Sequence, residues 1–372
     1  MKRGTPHRAL RDALLRWYRR DARDLPWRTT QDPYHIWLSE ILLQQTRVAT
    51  ARPYYERFVQ ALPTVQALAA APLDRVLKLW EGLGYYARAR NLHRAAQLIV
   101  ADLGGQLPRT ADAWQRLPGV GPYTAGAIAS IAFGARVPAV DGNVKRVLAR
   151  LFRLQTPLDD RATRAALWRL AEELLCEKSP GTVNQALMEL GACLCTPRTP
   201  RCTECPVAPW CAARAAGVER KLPIRRPRKT VPHVEAIAAI IRARGRHLLT
   251  RRPAGLLAGL WGWPGTELAE GEQHDSTLRK ALRDAFGLEI VVGDRLATVR
   301  HEFSHRRLRL HVYACRLVRR TPRHARSAGA NWLSPAELER YPLARVDRKV
   351  WAAVMPAPAE RLPPPVPLRR AR

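Results

Sequence analysis

The 372-residue chain has no long uncharged apolar run, and its Arg-rich N-terminus has no apolar core of the secretory type. A membrane-spanning helix needs about 20 consecutive apolar residues, so we expect no transmembrane helix. Asp12, Asp21 and Asp24 near the start argue against a transit peptide, because such peptides are poor in acids. We therefore expect a soluble cytoplasmic protein.

Acidic residues are also scarce. The chain has 32 Asp and Glu against 63 Lys and Arg, which gives a net charge of +31 and a pI of about 11.2. A polyanion is the default partner, since Lys and Arg contacts to phosphates supply salt-sensitive affinity. A membrane surface is the alternative, but no amphipathic anchor stands out. At this length we expect two domains, each able to bury a core.

Cysteine is present in an odd number, seven, and four of the seven are clustered. This usage argues against a disulfide framework and indicates a metal site. Four thiolates in a Pro-rich loop hold either zinc or a [4Fe–4S] cluster, and a single compact run favours the cluster. The clustered residues have the spacing C-x6-C-x2-C-x5-C: Cys195, Cys202, Cys205 and Cys211. The other three are predicted to be small buried residues: Cys176, Cys193 and Cys315.

Two glycines interrupt the helical pattern near the centre of the chain. Gly119 and Gly121 are followed by Pro122, which suits the first position of a helix. A stripe of small apolar residues follows at Ala125, Ile128, Ala129 and Ala132. Backbone N–H groups left uncovered at such a helix start bind phosphate without base preference. The alternative is an ordinary corner between two helices.

Two acids stand out from their surroundings. Glu40 lies in the apolar run Trp37–Thr46, which we predict to be a helix. It is either an exposed glutamate on a half-buried helix or a carboxyl whose pKa is raised by burial, so that it carries a proton near neutral pH. Asp141 precedes another helical stripe and is predicted to be its N-cap. The pattern alone leaves open whether Asp141 is more than a cap.

A second glycine-rich loop contains aromatic residues. Gly82 and Gly84 precede Tyr85 and Tyr86, and Arg88 and Arg90 follow. This arrangement predicts a sharp loop that exposes an aromatic side chain beside a phosphate backbone, where an aromatic wedge holds open a base stack. The alternative is a helix start with core tyrosines.

The C-terminal part of the chain changes to a period of two. We predict a Pro-rich basic linker over 221–232, a hairpin from Val234–Ile241 and His247–Thr250, a helix over Leu278–Phe286 and a strand over Leu308–Leu317. A capping box at Ser334 predicts the start of a final helix. The Pro- and Arg-rich residues 356–372 are predicted to be a disordered basic tail.

The motifs L-P-G-V-G-P-Y-T-A-G and V-D-G-N-V-x-R-V resemble the helix-hairpin-helix DNA glycosylase superfamily. The string P-W-R…W-x-S-E-x-x-L-Q-Q-T resembles its adenine DNA glycosylase (MutY) family. The resemblance implies that Glu40 is the general acid, that Asp141 is catalytic, and that Asn143 helps to hold Asp141 and the sugar. Tyr123 stands where the endonuclease III group has a Schiff-base lysine, which implies base removal without strong strand cleavage.

The same resemblance implies a set of binding residues. The hairpin glycines Gly119 and Gly121 contact DNA, Gln45 and Tyr85 probe the base stack, and Gln185 lies in a segment lining the adenine pocket. A C-terminal loop matches the one that reads 8-oxoguanine: Phe303, Ser304 and His305. The cysteine spacing is that of endonuclease III and MutY, and it implies a [4Fe–4S] cluster.

The C-terminal region resembles the Nudix-like domain of MutY. A Nudix hydrolase holds magnesium with several glutamates, and the matching positions here are Ala281, Asp284 and Ala285. We therefore expect recognition of the lesion in this domain and no pyrophosphohydrolase activity.

Together these features predict a mainly α helix-hairpin-helix DNA glycosylase domain with an iron–sulfur cluster loop, followed by an α+β Nudix-like C-terminal domain. The expected boundaries are 1–220 for the first domain, with the cluster loop at 195–211, then the linker 221–232, the second domain 233–355 and the tail 356–372. The expected function is hydrolysis of the N-glycosidic bond of adenine mispaired with 8-oxoguanine or guanine in double-stranded DNA. We expect a monomer of the bacterial cytosol and nucleoid. The alternatives are a bifunctional glycosylase/lyase and a non-catalytic DNA-binding protein.

Overall fold

A computed structural model describes residues 5–224, 226, 230–320 and 329–355. Contacts divide the chain into two units, and the boundary between them falls after residue 228. The first unit is interrupted between Leu79 and Arg88, because Trp80–Ala87 belongs by its contacts to the second unit. No sequence pattern indicated this assignment, and the predicted first domain, 1–220, contains the whole segment. The predicted tail, 356–372, lies outside the described residues.

The first unit is helical. Its elements are α1 (Thr5–Asp21), α2 (Pro33–Leu43), α3 (Val48–Ala61), α4 (Val65–Ala70), α5 (Leu73–Leu79), α6 (Ala87–Leu103, of which Ala87 lies in the second unit), α7 (Ala111–Gln115), α8 (Pro122–Phe133), α9 (Gly142–Leu151), α10 (Arg161–Leu174), α11 (Pro180–Cys193) and α12 (Ala212–Ala215), with short 3-10 turns at Pro26–Arg28 and Ala208–Trp210.

One hydrophobic core joins α1, α9, α10 and α11. On α1 one helical face is buried in this core: Leu10, Leu14, Trp17 and Tyr18. The same core includes Val144, Val147, Leu148 and Leu151 of α9, which are the residues of the predicted stripe. The core therefore fixes the start of α9, and with it Asp141, against the side of α11.

The glycine hairpin between α7 and α8 has the predicted form. Gly119 has a φ of +79°, a left-handed conformation that favours glycine. Gly121 is the N-cap of α8 and Pro122 occupies the first turn. Within α8, Gly126 has no room for a side chain, because an added Cβ would lie 2.1 Å from the carbonyl oxygen of Pro138. This close approach packs α8 against the segment that leads to Asp141.

Helix α2 ends earlier than the sequence predicted. The prediction ran to Thr46, but α2 ends at Leu43 and Gln45 has a φ of +57°. Arg88 stabilises this turn, because its guanidinium donates to the backbone oxygens of Ile41, Leu42 and Gln44. The apolar periodicity could not reveal this, since the partner lies more than 40 residues away.

The second unit is built on a mixed sheet. Its strands are β1 (His233–Ala243), β2 (Arg246–Arg251), β3 (Trp261–Gly262), β4 (Gly265–Leu268), β5 (Leu288–Glu302), β6 (Arg307–Arg320) and β7 (Ala330–Leu333). The order is β3-β2-β1-β6-β5, with β1 and β6 parallel, while β4 pairs with β1 and β7 with β2. The predicted β1–β2 hairpin turns at Arg244 and Gly245, both with positive φ. The predicted strand at Leu308–Leu317 is the central part of β6.

Three helices accompany this sheet: α13 (His274–Phe286), α14 (Pro335–Leu338) and α15 (Arg345–Val354). Leu278 and Leu282 of α13 are buried in the core of the unit. The capping box at Ser334 is present, but it starts only the four-residue α14. The prediction of the final helix at Ser334 is therefore wrong, since α15 begins at Arg345.

Two smaller differences concern the cysteines. Cys315 is buried as predicted, whereas Cys176 and Cys193 are only partly buried. Within the predicted linker 221–232, Leu222 is buried and its carbonyl oxygen accepts a hydrogen bond from Arg150. Among the described residues, no helix combines the length and the apolar character needed to cross a membrane.

Candidate active site

An open cavity of about 560 Å³ in the first unit brings together all four predicted catalytic residues and three of the predicted binding residues. Helix α2 contributes Glu40, and the hairpin and α8 contribute Gly121 and Tyr123. The start of α9 contributes Asp141 and Asn143. Gln45 from the turn after α2 and Gln185 from α11 also line this cavity. Its volume falls in the range of 300–1,000 Å³ that is typical of ligand sites.

Glu40 is buried on α2 and accepts a hydrogen bond from the hydroxyl of Tyr123 at 2.5 Å. Burial raises the pKa of Glu40 to about 7, although the bond from Tyr123 opposes the shift. The nearby Asp141 carboxylate raises it further. This agrees with the second alternative drawn from the sequence, a buried carboxyl, and a pKa of about 7 leaves a large part of the Glu40 population protonated near neutral pH.

Tyr123 is half-buried and lines the same cavity as the two acids. Burial and the Glu40 and Asp141 carboxylates raise the pKa of Tyr123 well above its usual value. The phenol therefore stays protonated and donates its hydrogen to Glu40. The hydroxyl also lies 3.6 Å from the sulfur of Met188 on α11.

Asp141 is the N-cap of α9, as predicted. Its Oδ1 accepts from the backbone N–H of Val144 at 2.7 Å, and its Oδ2 accepts from the Asn143 amide at 2.9 Å. Burial raises the pKa of Asp141, while these hydrogen bonds oppose the shift. A carboxylate has about four acceptor positions. The two bonds therefore leave capacity on Asp141 to face a developing positive charge in the cavity.

Arg146 was not recognised from the sequence. It donates to the side-chain oxygen of Asn143 at 2.8 Å, to the carbonyl oxygen of Gly191 at 2.7 Å and to that of Cys195 at 2.7 Å. Gly191 permits this approach of α11 to α9, because an added Cβ would lie 2.6 Å from the Cβ of Asn143. Arg146 thus fixes Asn143, which in turn orients Asp141. The i, i+3 spacing of Asn143 and Arg146 was the available signal.

A second network missed by the sequence analysis lies at the inner wall. Glu189 of α11 accepts from Arg23 at 2.6 Å and from Arg28 at 2.7 Å. Burial opposes ionisation of Glu189, but the bonds from Arg23 and Arg28 lower its pKa to about 2. The Tyr18 hydroxyl donates to the side-chain oxygen of Gln185 at 3.3 Å. These contacts position Arg28 and Gln185 at the cavity.

The four clustered cysteines line a separate small cavity in the first unit. Arg150 is almost completely buried beside it and donates to the Cys195 sulfur at 3.2 Å. All four thiols face this one cavity from a single loop, which suits the four-cysteine ligand set of a [4Fe–4S] cluster.

Four further predicted residues meet in the second unit. Tyr85 belongs to the segment Trp80–Ala87 and lines a cavity of about 240 Å³. The loop between β5 and β6 lines the same cavity with Phe303, Ser304 and His305. Tyr85 has a φ of +49° after two glycines of positive φ, and 40% of its surface is exposed. The loop closes through a hydrogen bond from the Phe303 N–H to the Arg306 carbonyl oxygen. Ser304 and His305 are exposed.

Gly119 is the one predicted residue that does not line a described cavity. Its carbonyl oxygen lies 3.5 Å from the side-chain nitrogen of Gln44, which also donates to the Thr124 hydroxyl at 3.2 Å. The hairpin is therefore tied to the turn after α2 at the rim of the cavity.

Three families match successive parts of the chain. Residues 38–173 match the HhH-GPD superfamily base excision DNA repair protein family, and residues 195–211 match the iron–sulfur binding domain of endonuclease III. Residues 236–353 match the NUDIX domain. The human adenine DNA glycosylase is 39% identical over 400 residues, covering 92% of this chain and 73% of the human protein.

The chain belongs to the adenine DNA glycosylase family. The Schizosaccharomyces pombe member is 31% identical and is covered over 89% of its length. A thermostable thymine-DNA glycosylase is similar in structure, with a TM-score of 0.52 and 31% identity over 57% of this chain and 97% of that one. This family member is a DNA N-glycosylase of base-excision repair, in which a helix-hairpin-helix domain with a [4Fe–4S] cluster precedes a Nudix-like domain.

Proposed function

We propose that this glycosylase hydrolyses the N-glycosidic bond of adenine mispaired with 8-oxoguanine or guanine. The observation that carries the proposal is the pairing of Glu40 and Asp141 in one cavity, with Tyr123 hydrogen-bonded to Glu40. Adenine is a poor leaving group and the departing sugar becomes cationic. A proton donor on one side and an anion on the other meet both demands.

The reaction begins when the target nucleotide is extruded from the duplex into the cavity. Glu40, whose pKa of about 7 keeps a protonated fraction available, donates its proton to the base as the bond breaks. Asp141 stabilises the oxocarbenium-like sugar from the other side. The resulting Glu40 carboxylate then accepts a proton from the water that attacks the sugar. Tyr123 and Asn143 keep the two acids in place through their hydrogen bonds.

Tyr123 also supports a monofunctional enzyme. A lyase of this superfamily uses a lysine amine at this position to form a Schiff base with the sugar, and a phenol cannot form one. Its hydrogen is already donated to Glu40. The abasic strand is therefore left intact.

Recognition of the adenine is assigned to the inner wall of the cavity. Gln185 presents a neutral amide held by Tyr18, and Arg28 is held by Glu189. Trp27 is buried beside them and supplies an aromatic surface. A site of this kind reads the polar edge of a flat base.

DNA approaches through the strongly basic surface of the chain. The exposed N-terminus of α8 after Gly119 and Gly121 suits a phosphate of the target strand. We assign Gln45, at the cavity rim, and the exposed Tyr85 to the base stack that is opened by extrusion.

The opposite base is assigned to the loop between β5 and β6. The Ser304 hydroxyl is both a donor and an acceptor, so it suits the altered edge of 8-oxoguanine, which differs from guanine in carrying a hydrogen at N7 and an oxygen at C8. Phe303 packs beside it, and His305 completes the loop.

The cysteines Cys195, Cys202, Cys205 and Cys211 would hold the cluster, which supplies a rigid anchor for the loop and not a reacting group. Arg198 and Arg201 lie in that loop, where they suit contacts to phosphate.

The Nudix-like domain, with Ala281, Asp284 and Ala285 at the magnesium positions, acts in recognition and not in hydrolysis. The protein acts as a monomer on DNA of the bacterial cytosol and nucleoid.

The deciding experiment measures excision from matched duplexes that contain adenine opposite 8-oxoguanine, guanine or thymine. Rapid adenine release from the first two, with strand breaks only after alkali, supports the proposal. Strand cleavage without alkali, together with a borohydride-trapped adduct, would indicate a bifunctional lyase. Binding to all three duplexes without base release would indicate a non-catalytic DNA-binding protein.

A further inference from the structure

A second cavity of about 590 Å³ lies behind the reaction cavity within the first unit. We call it the rear cavity; it is bounded by the end of α8, the start of α11 and the segment from Trp27 to Gln31. Arg109, Gly134 and Lys178 at its edge are exposed to solvent, so it opens on the surface. It has no part in the mechanism described above.

The two cavities share a partition. Trp27, Arg28, Ile131 and Gln185 line both of them. Arg28 is fixed by hydrogen bonds to the carbonyl oxygen of Arg23 at 2.9 Å and to Glu189 at 2.7 Å. Among the described residues, by contrast, the Gln185 side chain has one long hydrogen bond, 3.3 Å from the Tyr18 hydroxyl. Gln185 is therefore the member of the partition that rotates at least cost.

Rotation of Gln185 would connect the two cavities, and release of the excised base calls for such a connection. Once the glycosidic bond is broken, the base is free, but the abasic nucleotide still belongs to a duplex bound over the mouth of the reaction cavity. The rear cavity can accommodate a flat base, because the Phe133 ring lines it and the Arg109 guanidinium lies 5.3 Å from the centre of that ring. Aromatic and guanidinium planes both stack on bases.

We propose that the rear cavity is the release path for the excised purine, and that the Gln185 side chain is its gate. The base passes the partition, stacks near Phe133 and leaves beside Arg109 and Lys178 while the abasic DNA stays bound. This proposal rests on the adenine excision proposed above, but it does not depend on which base lies opposite the adenine.

The first test measures how fast a free base enters through the rear cavity, because entry and exit would use the same path. The enzyme is saturated with a duplex carrying a tetrahydrofuran abasic analogue, which covers the front, and association of the fluorescent base 2-aminopurine is followed by stopped flow. Thr182→Phe and Ala132→Phe fill the rear cavity at residues that do not line the reaction cavity. Each is expected to slow association by about tenfold or more, as a steric penalty above about 1.4 kcal/mol implies. Thr277→Phe, on α13 of the other unit, is the matched control.

The second test follows release directly. In a single turnover, labelled adenine in the ultrafiltrate is compared with abasic sites revealed by alkali in the same reaction. For the wild type, adenine is expected to leave while the DNA remains bound; for both plugged variants it is expected to leave only as the DNA dissociates. Adenine release and 2-aminopurine entry at wild-type rates in both plugged variants would overturn the release path. So would a wild-type complex that takes up no 2-aminopurine. The alkali assay reports excision separately, so loss of the release path and loss of the glycosylase reaction are distinguishable.

Discussion

The Tyr123 hydroxyl donates a 2.5 Å hydrogen bond to Oε2 of Glu40, and Asp141 lines the same cavity. This bond brings together two residues that are 83 positions apart in the chain. The bond positions the Glu40 carboxyl, whose pKa is raised by burial. The Tyr123 hydroxyl is the donor in this bond and does not accept the carboxyl proton. The proton of Glu40 therefore remains available to a base in the cavity.

Replacing Glu40 with Gln is expected to abolish excision and preserve DNA binding. An amide has nearly the same shape but cannot supply the proton, so the single-turnover rate should fall by about 10²–10⁴-fold. Glu56→Gln, on the exposed face of α3, is the matched control and should excise at the wild-type rate. Excision by Glu40→Gln at the wild-type rate would remove Glu40 from the mechanism.

The same variant should be more stable than the wild type at alkaline pH. The folded-state pKa of Glu40, about 7, lies above the ordinary value of 4.5. Stability linked to this group is therefore fully present below pH 4.5 and is lost as the pH rises through 7. Across that window the loss is about 3 kcal/mol. Urea unfolding at pH 5 and pH 8 should show the gain of Glu40→Gln over the wild type increasing with pH, and an equal gain at both values would contradict the raised pKa.

How far the sequence predicts the site depends on how local each feature is. Glu40, Asp141 and the cysteine run lie in contiguous motifs, and the cap of α9 needs only its neighbours. Arg146 and Glu189 read as ordinary charged residues of amphipathic helices, because their partners come from distant segments. The assignment of Trp80–Ala87 to the second unit could not be predicted from neighbouring residues, since the Tyr86 hydroxyl contacts the carbonyl oxygen of Leu343, 257 positions away.

Replacing Tyr123 with Lys should introduce lyase chemistry. The new amine would lie in the cavity beside Asp141, where it can attack the sugar carbon and form a Schiff base. Borohydride should then trap a covalent enzyme–DNA adduct that the wild type does not form. Excision should slow at the same time, because the bond to Glu40 is lost. Tyr54→Lys on α3 controls for an added lysine elsewhere, and an equal adduct yield in both variants would rule out a reaction at the site.

Replacing Cys205 with Ser should remove the cluster and destabilise the first unit. A hydroxyl is a poor substitute for a thiolate ligand, and the metal-binding energy of such a loop is also folding energy. Iron and sulfide content and the visible charge-transfer absorption should fall together, with a lower melting temperature. Cys176→Ser changes a partly buried cysteine outside the cluster loop. This variant should retain the iron and sulfide content, the visible absorption and the melting temperature of the wild type. A full cluster content in Cys205→Ser would exclude Cys205 as a ligand.

Replacing Ser304 with Ala should weaken the preference for 8-oxoguanine. The side chain is exposed in the loop between β5 and β6, so its loss leaves the fold unchanged and removes one hydrogen bond to the opposite base. One such bond contributes about 1 kcal/mol, so the ratio of excision rates opposite 8-oxoguanine and guanine should fall by about fivefold. Ser276→Ala, exposed on α13 of the same unit, is the control. Because the ratio compares two duplexes in one protein, a general loss of activity cancels, and an unchanged ratio would mean that the loop reads the lesion without Ser304.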